Sequence, residues 1–157
     1  VPSTKALLLM EDTTESDMVV KVTGFQWGWH YDYMEEGVNF YSMLSTPQSQ
    51  ITGDEAKGEH YLLEVNNHLV LPVGKKVRFL LTAKDVIHAW WVPQFGGKKD
   101  AIPGFMNEMW VRADETGTFR GQCAELCGKD HGYMPIVVDV VSEDEFQAWL
   151  AEKRKQG

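Results

Sequence analysis

The sequence predicts an all-β domain, a sandwich or barrel of short strands closed by one C-terminal helix. Three observations carry that expectation. Alternating and β-branched segments run through the chain until about its last fifteen residues. Glycine-containing turn signals separate them at Val73-Gly74, Phe95-Gly96-Gly97 and Glu115-Thr116-Gly117. The final stretch then changes its apolar period from two residues to about 3.6, the repeat of a helix.

Met18–Tyr33 reads as one long strand, or two joined by a bulge. Val20 and Val22 share one parity, whereas Phe25, Trp27, Trp29, Tyr31 and Tyr33 share the other. The switch falls at Thr23-Gly24, and a glycine inside a strand often marks a bulge. Residues 34–58 read as irregular, with turn formers at Ser45-Thr46-Pro47 and Gly53-Asp54. Further strands are expected at Tyr61–Val65, Lys76–Thr82, Ile87–Val92, Glu108–Ala113, Gly117–Gln122 and Pro135–Val141. Ser142 and Glu145 form a capping box for the last helix, and Phe146, Trp149 and Leu150 give it an apolar face. Lys153, Arg154 and Lys155 suit the negative pole of its dipole. The helix is expected to cover an edge or end of the β-structure. No repeat, linker or low-complexity tract interrupts the chain, so residues 1–157 are read as one domain.

At 157 residues such a domain can bury a real core, and 43% apolar with 24% charged residues is ordinary for a globular protein. No stretch approaches the roughly 20 apolar residues of a membrane-spanning helix. Net charge is −8 and is unevenly spread: residues 11–64 hold eleven acids against two bases, whereas twelve face twelve from residue 65 onward. No basic patch is concentrated anywhere, which excludes nucleic acid as an expected partner. A basic protein partner suits the acidic part.

The chemistry concentrates near residue 123. Cys123, Cys127, His131 and Met134 fall within twelve residues, and His88 stands upstream in the apolar, β-prone run Asp85-Val86-Ile87-His88-Ala89-Trp90-Trp91. The separation of the cysteines alone leaves a local disulfide and metal ligation both open. Thiolate, thioether and imidazole together are the donor set that suits copper. Structural zinc, which also accepts two Cys and two His, is the alternative, and the methionine argues against it. No Cys-x-x-Cys-His occurs, so no covalent haem is expected.

Three segments, in order, resemble one family. Residues 24–33 (GFQWGWHYDY) look like its aromatic segment, 85–104 (DVIHAWWVPQFGGKKDAIPG) like the loop of its first histidine, and 121–138 (GQCAELCGKDHGYMPIVV) like its copper loop. The family is that of the dinuclear copper (CuA) domain of subunit II of haem–copper cytochrome c oxidases. Gly28 and Phe105 depart from the pattern, in which many relatives carry an aromatic and a basic residue, respectively. The resemblance implies a cupredoxin-like Greek-key barrel or sandwich. It implies two copper ions bridged by Cys123 and Cys127, each bound by one of His88 and His131. Met134 and the backbone carbonyl of Glu125 are then weak ligands, and the Glu125 carboxylate helps to hold magnesium only in the intact complex.

The resemblance further implies a domain that accepts electrons from cytochrome c and passes them to subunit I of an oxidase that reduces oxygen. It implies a place on the periplasmic face of the bacterial inner membrane, with two N-terminal helices anchoring the parent subunit. A CuA domain of nitrous oxide reductase shares the ligands and is the alternative, although Asp-Ala-Ile-Pro-Gly and Gly-Tyr-Met-Pro-Ile-Val look like the oxidase. A quinol oxidase subunit is disfavoured, because those relatives lack the copper ligands. Electrons are expected to enter at Trp27, with Trp29 left to packing. The nearest acids in sequence, Asp32, Glu35 and Glu36, are expected to ring Trp27 and attract the donor. His30, His60 and His68 read as exposed or locally hydrogen-bonded histidines.

Overall fold

Two sheets face one another across a continuous hydrophobic core in the computed structural model, which describes residues 6–9, 15–45, 64–123 and 134–156. The strands are β1 (Ala6–Leu9), β2 (Met18–Phe25), β3 (Gly28–Tyr33), β4 (Val38–Met43), β5 (Leu69–Pro72), β6 (Lys76–Ala83), β7 (His88–Trp91), β8 (Lys99–Ala101), β9 (Asn107–Ala113), β10 (Gly117–Cys123) and β11 (Pro135–Val141), followed by helix α1 (Glu143–Gln156). One sheet runs β1-β9-β6-β2-β3-β4 and the other β5-β11-β10-β7-β8. Most neighbours are antiparallel, but β2 pairs β6, and β5 pairs β11, in parallel. This is the expected all-β, cupredoxin-like arrangement with its C-terminal helix.

The long strand expected at 18–33 is a hairpin, and the sequence reading is corrected there. Its turn is Gln26-Trp27, between the paired residues Phe25 and Gly28, and the ladder runs through Thr23 and Gly24 without a bulge. A two-residue turn reverses parity between the strands. Val20 therefore faces Tyr33, and Val22 faces Tyr31, with all four side chains in the core. Phe25 leaves that face and meets Tyr41 edge-on at 5.7 Å instead.

Strands β1, β4, β5 and β8 were not expected from the pattern. β5 is buried at every residue, so it shows no alternation to read. β4 occupies an edge inside the region expected to be irregular. Of the strand expected at 61–65, residues 61–63 lie outside the described residues, and Val65 forms only an isolated bridge with Leu44. Gly74, at φ 79, turns the chain from β5 into β6 as predicted.

Polar ties join the layers. The Tyr33 hydroxyl donates to the Val70 carbonyl (2.7 Å) and accepts the Val70 amide (2.9 Å), linking the two sheets through a buried ring. The Trp90 indole N–H donates to the Tyr31 hydroxyl across the core (3.2 Å). Helix α1 begins with the expected capping box: the Glu145 amide donates to Ser142 Oγ, and the Ser142 amide donates to Glu145 Oε1, each at 3.2 Å. Its Phe146 and Leu150 are buried, and Trp149 packs on Tyr33 and Phe40.

His68 clasps the approach to β5. Its Nδ1 lies 2.8 Å from Asp139 Oδ2 and its Nε2 lies 2.8 Å from Glu64 Oε1. The bond to Asp139 chiefly holds the imidazole above its ordinary pKa, against the effect of burial. Burial would raise both carboxylates, but their hydrogen bonds keep them below the usual range. A raised histidine stabilises the fold below its unfolded pKa of about 6.5, and loses that contribution as pH climbs through the folded value. The lowered carboxylates stabilise above their unfolded values of about 4, and lose that contribution as pH falls.

His68→Gln is therefore expected to lower the melting temperature of the metal-free chain most between about pH 5 and 6.5, with a shrinking deficit toward pH 9. The side chains are about one-third exposed, so the largest deficit is about 2–4 °C. Melting curves across that range check it. A deficit that did not change with pH would assign the clasp to packing rather than charge.

Candidate metal centre

His88 is the first residue of β7 and is wholly buried. The preceding loop is pinned to the β2–β3 hairpin, since the Lys84 amide donates to the Gly24 carbonyl (2.9 Å). Gly24 is glycine because the imidazole lies against it: a Cβ there would stand 2.8 Å from His88 Cδ2. Trp29 covers another side of the ring, with the centroids 6.0 Å apart.

The two imidazole nitrogens have different surroundings. Nε2 lies 2.9 Å from Asp85 Oδ1, and Nδ1 lies 4.0 Å from Cys123 Sγ. A carboxylate only accepts, so Nε2 carries a hydrogen and Nδ1 is the nitrogen turned toward the sulfur. A carboxylate on the far nitrogen is the usual arrangement behind a metal-binding histidine. Burial alone would lower the His88 pKa, but the contacts with Cys123 and Asp85 outweigh it and raise the value. Asp85 is held below the usual carboxylate range by bonds from His88, Gln26 and Val86, which outweigh its own partial burial.

Cys123 ends β10, where it pairs with Trp90 of β7. Its sulfur accepts the Ala89 amide at 3.4 Å, a contact that favours thiolate. The strand spacing depends on Gly121: a Cβ there would come within 2.0 Å of the Trp91 carbonyl oxygen. Met134 is buried, and its carbonyl accepts the Cys123 amide (3.0 Å), which ties β10 to the residue before β11. His88, Cys123 and Met134 thus belong to one end of the sandwich. Glu125, Cys127 and His131 lie outside the described residues. Among the described residues, no three His, Cys, Asp or Glu side chains gather as a metal site. A buried imidazole with Nδ1 toward a sulfur, and a buried methionine tied through its backbone to the same cysteine, nevertheless fit a soft metal.

Trp27 is half-buried in the β2–β3 turn and packs against the core edge. The turn reaches the same end of the molecule: the Gln26 amide donates to Asp85 Oδ2 at 2.7 Å. The acids expected around Trp27 are elsewhere, and that expectation is corrected. Glu35 and Glu36 occupy the turn after β3, about 20 Å away at the usual rise per strand residue, and Asp32 lies close to them. The Glu36 carbonyl accepts two bonds from Arg154 of α1. The acid adjacent to the Trp27 turn is Asp85. Sequence reading missed Asp85, Gly24 and Gly121, and an aspartate three residues before a candidate ligand was the one available signal.

The other histidines have local partners where they are described. His30 Nε2 lies 3.1 Å from Asn39 Oδ1, and His68 is held by its two carboxylates. His60 lies outside the described residues.

The family described as "Cytochrome C oxidase subunit II, periplasmic domain" matches residues 18–141. A probable cytochrome c oxidase subunit 2 of Rickettsia bellii (strain RML369-C) is 43% identical over 155 residues, covering 99% of this chain and 56% of the relative. The cytochrome c oxidase subunit 2 of Cereibacter sphaeroides is 41% identical over 165 residues, covering 97% of this chain and 54% of that protein. The chain thus spans about half the length of these curated relatives. Among solved structures, the periplasmic domain of subunit II of cytochrome oxidase (CoxB) of Bradyrhizobium japonicum superposes with a TM-score of 0.81 at 42% identity, covering 92% of this chain and 99% of that one. A mixed disulfide intermediate between the thioredoxin-like protein TlpA and subunit II of cytochrome c oxidase superposes with a TM-score of 0.77 at 42% identity, covering 94% of this chain and 98% of that one.

Proposed function

The chain belongs to the cytochrome c oxidase subunit II family, and we propose that it is the electron-accepting domain of a terminal oxidase, receiving electrons from cytochrome c and passing them to subunit I. The observation that carries this reading is the buried His88, with Nε2 held by Asp85 and Nδ1 turned toward Cys123 Sγ. The proposed ligands of two copper ions are His88, Cys123, Cys127, His131 and Met134, with the Glu125 carbonyl. When bound, the copper pair supplies a one-electron centre. The Glu125 carboxylate would help to hold magnesium in the assembled complex. One core unites the described residues, which supports reading 1–157 as one domain. The match to a family described as a periplasmic domain supports a place on the periplasmic face of a bacterial inner membrane.

The chain's own residues do three things there. β7 and β10 fix the imidazole and one sulfur through backbone pairing, so neither has to be gathered when an electron arrives. Trp29, Gly24 and the covering strands exclude water from the ring of His88. Trp27 offers a half-buried aromatic at the same end, and Val86 and Ile87, which follow Asp85, are exposed; together they are read as an apolar landing area for a protein donor. Charge on Asp85 suits a basic cytochrome. A second proposed partner is a thioredoxin-like protein, by analogy with the mixed disulfide of the related subunit II. A disulfide between the cysteines must be reduced to thiols before they can ligate metal as thiolates.

Copper titration with optical spectroscopy tests the reading. Two coppers per chain and rapid reduction by ferrocytochrome c are expected, whereas one copper, or preferential zinc, would overturn it. Trp27→Ala is expected to keep the spectrum but slow reduction at saturating cytochrome c roughly tenfold or more, the scale on which misplaced reaction partners lose rate. An unchanged saturated rate would return Trp27 to packing alone.

A further inference from the structure

We propose that Asp85 is a positioning residue that holds the copper-ligating imidazole of His88 and the Trp27 turn in one frame, one through each carboxylate oxygen. The proposal rests on the functional reading for the meaning of both partners, but its geometry stands on the chain alone. Oδ1 lies 2.9 Å from His88 Nε2 and accepts the Val86 amide at 2.6 Å. Oδ2 accepts the Gln26 amide at 2.7 Å.

Local loop closure accounts for the bond to Val86, and His88 is only three residues on, but the bond to Gln26 is not local. Gln26 stands 59 residues away in sequence, in a turn of the other sheet, and His88 is fully buried. A side chain that only capped its own loop would need no bond to Gln26. The contact also sets a direction. Orienting a ligand histidine through its distal nitrogen fixes which nitrogen faces the metal and the angle of the ring. Holding the turn by its backbone fixes where the half-buried Trp27 side chain stands. The two tasks share one rigid group, so the distance from the donor's contact point to the ligand ring is fixed by a single carboxylate.

The neutral isostere separates this role from simple packing. Asparagine keeps the shape, but it has one acceptor oxygen and presents an N–H₂ on the other side. Three donors then compete for one oxygen, and one N–H faces another. In the metal-free chain, Asp85→Asn is expected to speed hydrogen exchange of the Gln26 amide by about tenfold or more, as loss of a charge-assisted bond implies. It is also expected to shift the ring ¹⁵N signals of His88. In the copper-loaded chain it should retain two coppers, move the visible spectrum and midpoint potential, and slow reduction by saturating cytochrome c. Asp85→Glu, with both acceptors on a longer arm, should recover part of the exchange protection.

Asp17→Asn is the control, because Asp17 Oδ2 likewise accepts a distant amide, that of Lys76 (2.8 Å), on a loop outside the site. It should leave the spectrum, potential and Gln26 exchange unchanged. If it shifts them as Asp85→Asn does, general loosening explains the effects and the proposal falls. It also falls if Asp85→Asn leaves Gln26 exchange unchanged, or leaves both the His88 signals and the potential unchanged. Should the wild-type chain fail to take up two coppers, the functional reading fails, while exchange and ring signals in the metal-free chain still decide whether Asp85 is a clamp.

Discussion

Cys123→Ser is expected to abolish the dinuclear centre while leaving the fold in place. Cys123 ends β10 with its sulfur 4.0 Å from His88 Nδ1 and 3.4 Å from the Ala89 amide nitrogen. A serine oxygen is harder, sits closer to its own backbone and stays protonated at neutral pH, so it neither reaches nor suits the same metal. The ladder around residue 123 is made by backbone groups and its side chain is only half-buried, so stability should change by no more than about 1 kcal/mol. Elemental analysis should find two coppers per wild-type chain and at most one in the variant, with the intense visible absorption lost. Cys127→Ser is expected to behave alike. A Cys123→Ser chain that held two coppers with the original spectrum would remove Cys123 from the ligand set.

The second large effect is structural. Trp90→Ala should cost about 3–5 kcal/mol in denaturant unfolding of the metal-free chain, lowering the melting temperature by about 10 °C. Trp90 is fully buried, with its ring centroid 5.0 Å from that of Phe79 in the facing sheet and 6.2 Å from that of Phe95. Its removal leaves a large void and strands the Tyr31 hydroxyl, whose pKa burial already raises. Trp90→Phe should retain most of the packing and lose mainly the hydrogen bond, at about 1–3 kcal/mol. Trp90 also lies two residues from His88 on the same short strand, so copper affinity should fall with stability. A loss below about 1 kcal/mol would mean that β7 is not the keystone its burial indicates.

The strands that alternate between core and solvent, such as β6 and β9, were legible because one face alone is buried. β5 was not, because the facing sheet and a covering helix bury both faces and erase the period. The hairpin at Gln26-Trp27 was misread because its turn contains neither glycine nor proline, while Gly24 nearby suggested a bulge. That glycine answers to His88, a residue far along the chain, which single-segment patterns cannot reveal. In the site, donor types and spacing were legible from local sequence. Asp85 was not, since its partners are a backbone amide in another sheet and a buried ring. The docking acids were misplaced because nearness in sequence was taken for nearness in space, whereas β3 carries Asp32, Glu35 and Glu36 away from Trp27.

Gly121 leaves room only for a hydrogen atom beneath the Trp91 carbonyl. In a saturating mutational scan scored separately for soluble yield and for copper colour, ligand positions should give abundant colourless protein, and core positions little protein of any kind. Position 121 should form a third class. Every replacement there, alanine included, pushes apart the two strands that carry His88 and Cys123, so colour should fade well before yield does. Such a column of near-total intolerance, at a residue that neither binds metal nor fills the core, would be the genetic signature of an inter-strand gauge.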